Sequence, residues 1–177
     1  MIRRGRIAAL LLFLCCFGFG GTGSAAPASG PKLDAKAWIV IEARSGEALG
    51  GRAVNRHLPM ASTTKIMTAY LAMKRLPFNR RVKVGRYNAD PAESLMDLEP
   101  GQVVSVRDLL YGLMLLSGND AAVALAKAVS GTEARFVALM NRTARQLGLD
   151  DTSYENPVGL DGPTHFTSAA DLARLSQ

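Results

Sequence analysis

The stretch Pro59–Leu76, PMASTTKIMTAYLAMKRL, has the composition of a helix that opens near Ser62 and runs over 63–75, with Pro77 as its stop. Its first turn contains a lysine, Lys65. The amino end of a helix carries partial positive charge, so acidic residues are favoured there and cations are not. The same misplacement suits one kind of chemistry. A serine hydroxyl is a poor nucleophile until a base takes its proton, and a lysine serves as that base when burial or nearby positive charge depresses its pKa. Ser62 and Lys65 lie three residues apart, so on a helix their side chains share a face. The helix end also offers backbone N–H groups to an oxyanion. Taken alone the pair is equally a helix N-cap with a lysine reaching to solvent. A second Ser-x-x-Lys, Ser29–Lys32, falls in a Pro/Gly-rich segment where nothing would hold the pair together.

Upstream, Arg3, Arg4 and Arg6 precede an apolar run from Ile7 to Phe19 and then the small residues GGTGSAAPASG. This is the pattern of a secretory signal peptide, cleaved after Ala25 or Ala26, and the apolar run is short for a membrane span. An uncleaved anchor is the alternative. Without residues 1–25 the net charge falls from +6 to +3, so the high pI reflects targeting more than nucleic-acid binding. No basic stripe interleaved with aromatics occurs. Cys15 and Cys16 both lie in the removed segment, which leaves the mature chain no disulfide and no cysteine metal site. Neither a metal nor an organic cofactor is implied. The expected location is outside the cytoplasm, in the periplasm or cell envelope.

Residues 26–36 read as a flexible leader, and 37–177 as one domain. AWIVIEA (37–43) and ALGGRAVN (48–55) form a hairpin around the turn RSGE. The stretch 81–104 reads as irregular, with short extended pieces. Ser105 and Asp108 resemble a capping box opening VRDLLYGLMLL; AAVALAKAV follows, and Thr132 caps EARFVALMNRTARQL. In that helix Phe136, Val137, Met140 and Leu147 fit a buried face, and Gly148 ends it. Thr167 or Ser168 caps a last helix, AADLARLSQ.

Between two apolar helical runs sits Ser117-Gly118-Asn119. It is readable as a helix end and a new cap, or as a hydroxyl and an amide brought into partly buried surroundings. There the hydroxyl could relay a proton, and the amide could orient Lys65 or bind a substrate peptide bond.

PMASTTKIMTAYLA, LLYGLMLLSGNDAAVALAKAVSG, FVALMNRTARQLGLDDTSYENPVGLD and HFTSAADLARL together resemble the serine D-alanyl-D-alanine carboxypeptidases, the low-molecular-mass penicillin-binding proteins of the peptidase S11 type. The resemblance runs from about Ala37 to the chain end. It implies an α/β architecture of the β-lactamase/transpeptidase kind, an antiparallel sheet, of which only the first hairpin is expected here, beside a large helical region. It also implies that Ser62 attacks the carbonyl between two D-alanines, Lys65 is its base, Ser117 passes the proton toward the leaving amine, and Asn119 holds the substrate. The partners so implied are peptidoglycan pentapeptide stems, with β-lactams as covalent inhibitors. A D,D-endopeptidase, a β-lactamase of the same fold and a non-catalytic peptidoglycan-binding fragment are the alternatives. Ser-Gly-Asn in place of Ser-Asp-Asn, and no glutamate obvious in NPVGLD, favour the carboxypeptidase branch over the lactamases. His57 and His165 are not expected to form a triad with Ser62.

The family's third motif, Lys-Thr-Gly, does not occur in the chain. Arg44-Ser45-Gly46 is its nearest chemical imitation, and it reads as the hairpin turn. The strand bearing that motif supplies an oxyanion donor in the family, and losing such a donor costs on the order of a hundred- to a thousandfold in rate. The family's carboxy-terminal extension, which often ends in a membrane-associating helix and so brings peripheral membrane contact, is not part of this sequence. The chain therefore reads as an amino-terminal portion. The accompanying expectation is that 26–177 alone is open-edged, poorly folded and weak in turnover.

Overall fold

The computed structural model describes residues 33–177. The signal peptide, most of the leader, and the Ser29–Lys32 pair lie outside the described residues. Ten elements follow in order: β1 (Trp38–Ile41), β2 (Ala48–Arg52), a 3-10 turn (Ala61–Thr63), α1 (Thr64–Arg75), β3 (Arg81–Lys83), β4 (Val103–Ser105), α2 (Val106–Leu115), α3 (Asn119–Ser130), α4 (Glu133–Gln146) and α5 (Ala169–Ser176).

β1 and β2 pair antiparallel with a bulge between Val40 and Ile41. The turn joining them is organised by Glu42, whose carboxylate accepts from the Arg44 N–H at 2.9 Å and from the Ser45 N–H, with Gly46 at φ +75°. Arg44-Ser45-Gly46 is thus a turn, as its residues suggest. Val40 and Leu49 remain exposed on this two-stranded ribbon.

The stretch 81–104 differs from the reading above: its two ends pair as a second antiparallel ladder, Arg81–Lys83 against Val103–Ser105. Among the described residues this ladder is a sheet of its own and adds no strand to β1 and β2, which remain a lone hairpin, as expected. Each strand is three residues long with one buried side chain, Val82 or Val104, too short to write an alternating pattern.

α3 is the central helix. Its first eight residues, Asn119 through Ala126, are all buried, and it touches α1, α2 and α4. Its alanines let those neighbours approach closely. One core joins α1, α2, α3 and the second hairpin around Leu109, Leu113 and Leu125; another joins α1, α4 and α5 around Met67, Phe136 and Met140. Val137 and Leu147 prove only half-buried, with Leu139 taking the inward position instead.

The caps form as their sequences dictate. Ser105, Thr132 and Ser168 each accept from the N–H three residues on, at 3.1, 3.2 and 3.1 Å. Ser105 also donates to the Asp108 carboxylate at 2.6 Å, which ties β4 to α2. Ser105→Ala is expected to cost about 1 kcal/mol, read as a lower denaturant midpoint at unchanged slope.

Candidate active site

Ser62 is not a helix cap. It lies in the 3-10 turn before α1, so Lys65 is the second residue of the α-helix proper. Ala61, just before it, adopts φ +44°, and Ser117 adopts φ +56°. Such conformations cost non-glycine residues of order 1–3 kcal/mol each and cluster where function over-determines the backbone.

Lys65 is 3% exposed. Its Nζ donates to Ser62 Oγ at 3.2 Å and to the Val158 carbonyl at 2.7 Å. Burial pushes its pKa down from 10.5 to about 8, against the opposing pull of the Glu93 carboxylate. Desolvation is thus the leading cause of the depression.

The carbonyl facing Lys65 is held by a loop that the sequence marks only as NPVGLD. The Asn156 side chain folds it, with Oδ1 accepting from the N–H groups of Val158, Gly159 and Leu160 at 3.1, 2.7 and 3.1 Å. Thr68 in α1 donates to the Pro157 carbonyl at 2.8 Å. Gly159, at φ +101°, packs so close to the Ala61 carbonyl that a Cβ there would sit 2.0 Å from its oxygen. Sequence reasoning missed Asn156 and Gly159, which shape the loop whose carbonyl faces Lys65; Asn before Pro and Gly in a short loop were the only signal.

Two cavities adjoin Ser62. One, about 180 Å³, is bounded by Ser62, Glu93, Asn119 and Gly159. The other, about 300 Å³, is bounded by Ser62, Lys65 and Ser117. The four residues singled out from the sequence therefore converge, with Ser62 at the junction. Among the described residues Ser117 hydrogen-bonds to neither Ser62 nor Lys65.

Asn119 donates through Nδ2 to Glu93 at 2.6 Å. Next to it Asp120, 5% exposed, accepts from the N–H groups of Met96 and Leu98, both at 2.9 Å, and of Ala121 at 2.8 Å. The Asn119 N–H meets the Ser94 carbonyl at 2.9 Å. Together these bonds fasten the 90–98 segment across the start of α3. Glu93 and Asp120 were also missed, since single acidic residues in loop-like sequence carry no pattern.

The histidines are occupied elsewhere. His165 accepts from the Glu155 N–H through Nδ1, so Nε2 carries the proton toward Thr64 Oγ1 at 2.9 Å. Burial lowers its pKa. His57 pairs with Asp151 at 2.8 Å and stacks on Phe166. Neither bonds to Ser62.

The fold that carries this buried lysine, hydrogen-bonded to a serine at a helix start, is of the penicillin-binding, DD-transpeptidase type. Penicillin-binding protein 6B from Escherichia coli superposes with a TM-score of 0.80 at 38% identity, over 85% of this chain and 51% of that one. The model of the Peptidase S11 family, D-alanyl-D-alanine carboxypeptidase, matches residues 24–177, and the chain belongs to that family. It is 40% identical over 158 residues to the D-alanyl-D-alanine carboxypeptidase DacC of Escherichia coli K12, covering 83% of this chain and 40% of that protein. With DacF of Bacillus subtilis the identity is 38% over 149 residues, covering 81% and 38%. The chain thus spans about two-fifths of the length of these relatives.

Proposed function

We propose that the chain performs acyl transfer at Ser62, and that the protein it represents hydrolyses the terminal D-Ala-D-Ala bond of peptidoglycan stem peptides in the cell envelope. The observation that carries this reading is the buried Lys65 amine, 3.2 Å from Ser62 Oγ. A lysine this buried, with its pKa near 8, has an appreciable neutral fraction close to neutral pH.

In the first step neutral Lys65 takes the Ser62 proton as Oγ attacks the carbonyl carbon, forming a tetrahedral oxyanion. The Ser62 N–H, at the positive end of α1, is one donor for that oxyanion. The C–N bond then breaks. The proton on Lys65 passes to the leaving amine, with Ser117, on the same cavity wall, as the relay. Water, activated by the same lysine, attacks the ester and releases the acid and Ser62. Asn119 binds the substrate's peptide group from the smaller cavity. β-Lactams acylate the same oxygen, with ring opening replacing departure of the amine. The expected export signal in residues 1–25 agrees with a cell-wall substrate.

The test is covalent labelling by a fluorescent penicillin, beside release of D-alanine from a D-Ala-D-Ala peptide. Both signals are expected to vanish in Ser62→Ala. Label that survives in Ser62→Ala would overturn the assignment of the nucleophile.

A further inference from the structure

Acyl transfer does not account for Glu93. Of the groups bounding the cavity between Ser62 and Asn119, it is the one carboxylate. It is firmly held: it accepts from Asn119 Nδ2 at 2.6 Å, from the Tyr87 hydroxyl, and from the Asp90 N–H at 2.9 Å. The segment around it is fastened by Ser94, Met96 and Leu98 to the start of α3. A carboxylate can only accept, so the Asn119 amide must turn its NH2 toward Glu93. The hydrogen bonds from Asn119 and Tyr87 keep the Glu93 carboxyl below its ordinary pKa, so it is charged at neutral pH. A charge-assisted bond of this kind is about twice as strong as one between neutral groups. The substrate of a carboxypeptidase brings a terminal carboxylate of its own, and its oxyanion adds more negative charge nearby.

Building on Ser62 as the acylated nucleophile, we propose that Glu93 is a resident competitor in the substrate cavity: it occupies the Asn119 amide donor, and an incoming peptide carbonyl engages Asn119 by displacing it. The carboxylate restrains the base as well. Among the described residues, Glu93 is the charged group whose field acts on Lys65. Asp120 on α3 spends its carboxylate on three backbone N–H groups, His165 is held neutral against Thr64, and the 157–158 loop offers only carbonyls. The negative charge of Glu93 favours the ammonium form of Lys65, which is the form that cannot take a proton.

The experiment is the pH dependence of penicillin acylation in the parent, Glu93→Gln and Tyr87→Phe. Glu93→Gln removes the charge and keeps a weaker acceptor. Its acylation at pH 7 is expected to rise at least about twofold, and its acid limb to move to lower pH. Tyr87→Phe loosens the carboxylate without removing its charge, so its rate rises while the acid limb stays. A purely structural Glu93 would predict the reverse, slower acylation with an unmoved limb, and that result overturns the proposal. A reading independent of turnover is the Asn119 side-chain NH2 resonance of the parent. It is expected to shift as Glu93 titrates below pH 4.5, and a resonance that ignores that titration also overturns the proposal. Absence of acylation in the parent, or acylation surviving Ser62→Ala, would instead count against Ser62, so the two failures are distinct.

Discussion

Lys65→Met is expected to abolish penicillin labelling and at the same time to stabilise the protein at pH 7. Loss of a positioned general base costs about a hundred- to ten-thousandfold in rate, enough to remove the label on a minutes timescale. The stability gain follows from linkage. Lys65 titrates near 10.5 when unfolded and near 8 when folded, so between those values the unfolded chain binds the extra proton. Below pH 8 the native state therefore bears the full cost of the buried ammonium, on the order of 3 kcal/mol, and that cost fades as pH rises from 8 to 10.5. Methionine has nearly the same length and no charge. It leaves the Val158 carbonyl without its donor, which returns about 1–2 kcal/mol of the gain. A net gain of about 1–2 kcal/mol at pH 7, crossing zero between about pH 9 and 10 and becoming a deficit of roughly 1 kcal/mol by pH 10, is the expected outcome in denaturant titrations. A variant less stable than the parent at pH 7 would mean that Lys65 is not depressed. In the parent, acylation should fall tenfold per pH unit well below 8, because the neutral amine is the reacting form.

The same lysine explains how much of the molecule was legible beforehand. Ser62 and Lys65 stand out because they break a helix rule, and Ser117 and Asn119 because they interrupt two apolar helical runs. Helices α1 to α5 follow from 3.6-residue periodicity with explicit caps at Ser105, Thr132 and Ser168. What could not be read was whatever depends on contact between distant segments. The second hairpin pairs residues twenty or more positions apart with one buried valine per strand. Glu93 reaches Asn119 across 26 positions, and Val158 reaches Lys65 across 93. Neither loop has a period or a motif whose spacing would announce those meetings. Helix position also explains less than burial does. The amino end of α1 makes Lys65 conspicuous in sequence, but removal from water is the larger cause of its lowered pKa.

Gly159→Ala is the substitution in the loop expected to do most damage. The residue sits at φ +101°, a region that L side chains rarely enter, and an added Cβ would meet the Ala61 oxygen at 2.0 Å and its carbonyl carbon at 2.4 Å. Both contacts are backbone, so no side-chain rotation relieves them. The 3-10 turn cannot retreat easily, since Ala61 is already at φ +44° and Thr63 N–H is bonded to the Met60 carbonyl at 3.1 Å. The 156–160 loop must move instead. That motion strains the three N–H bonds to Asn156 Oδ1 and draws the Val158 carbonyl away from Lys65. Conformational strain and overpacking together cost about 3 kcal/mol or more, a fall in Tm on the order of 10 °C. Labelling should be lost even at temperatures where the variant is folded, because the Lys65 amine then has a free choice of partners and Ser62 a displaced backbone. Gly85→Ala is the matched control: nothing lies within 4 Å of its added methyl, so stability and labelling should stay near the parent's. Parent-like labelling and Tm in Gly159→Ala would show that the loop does not hold the lysine, and the role given to the Val158 carbonyl would fall with it.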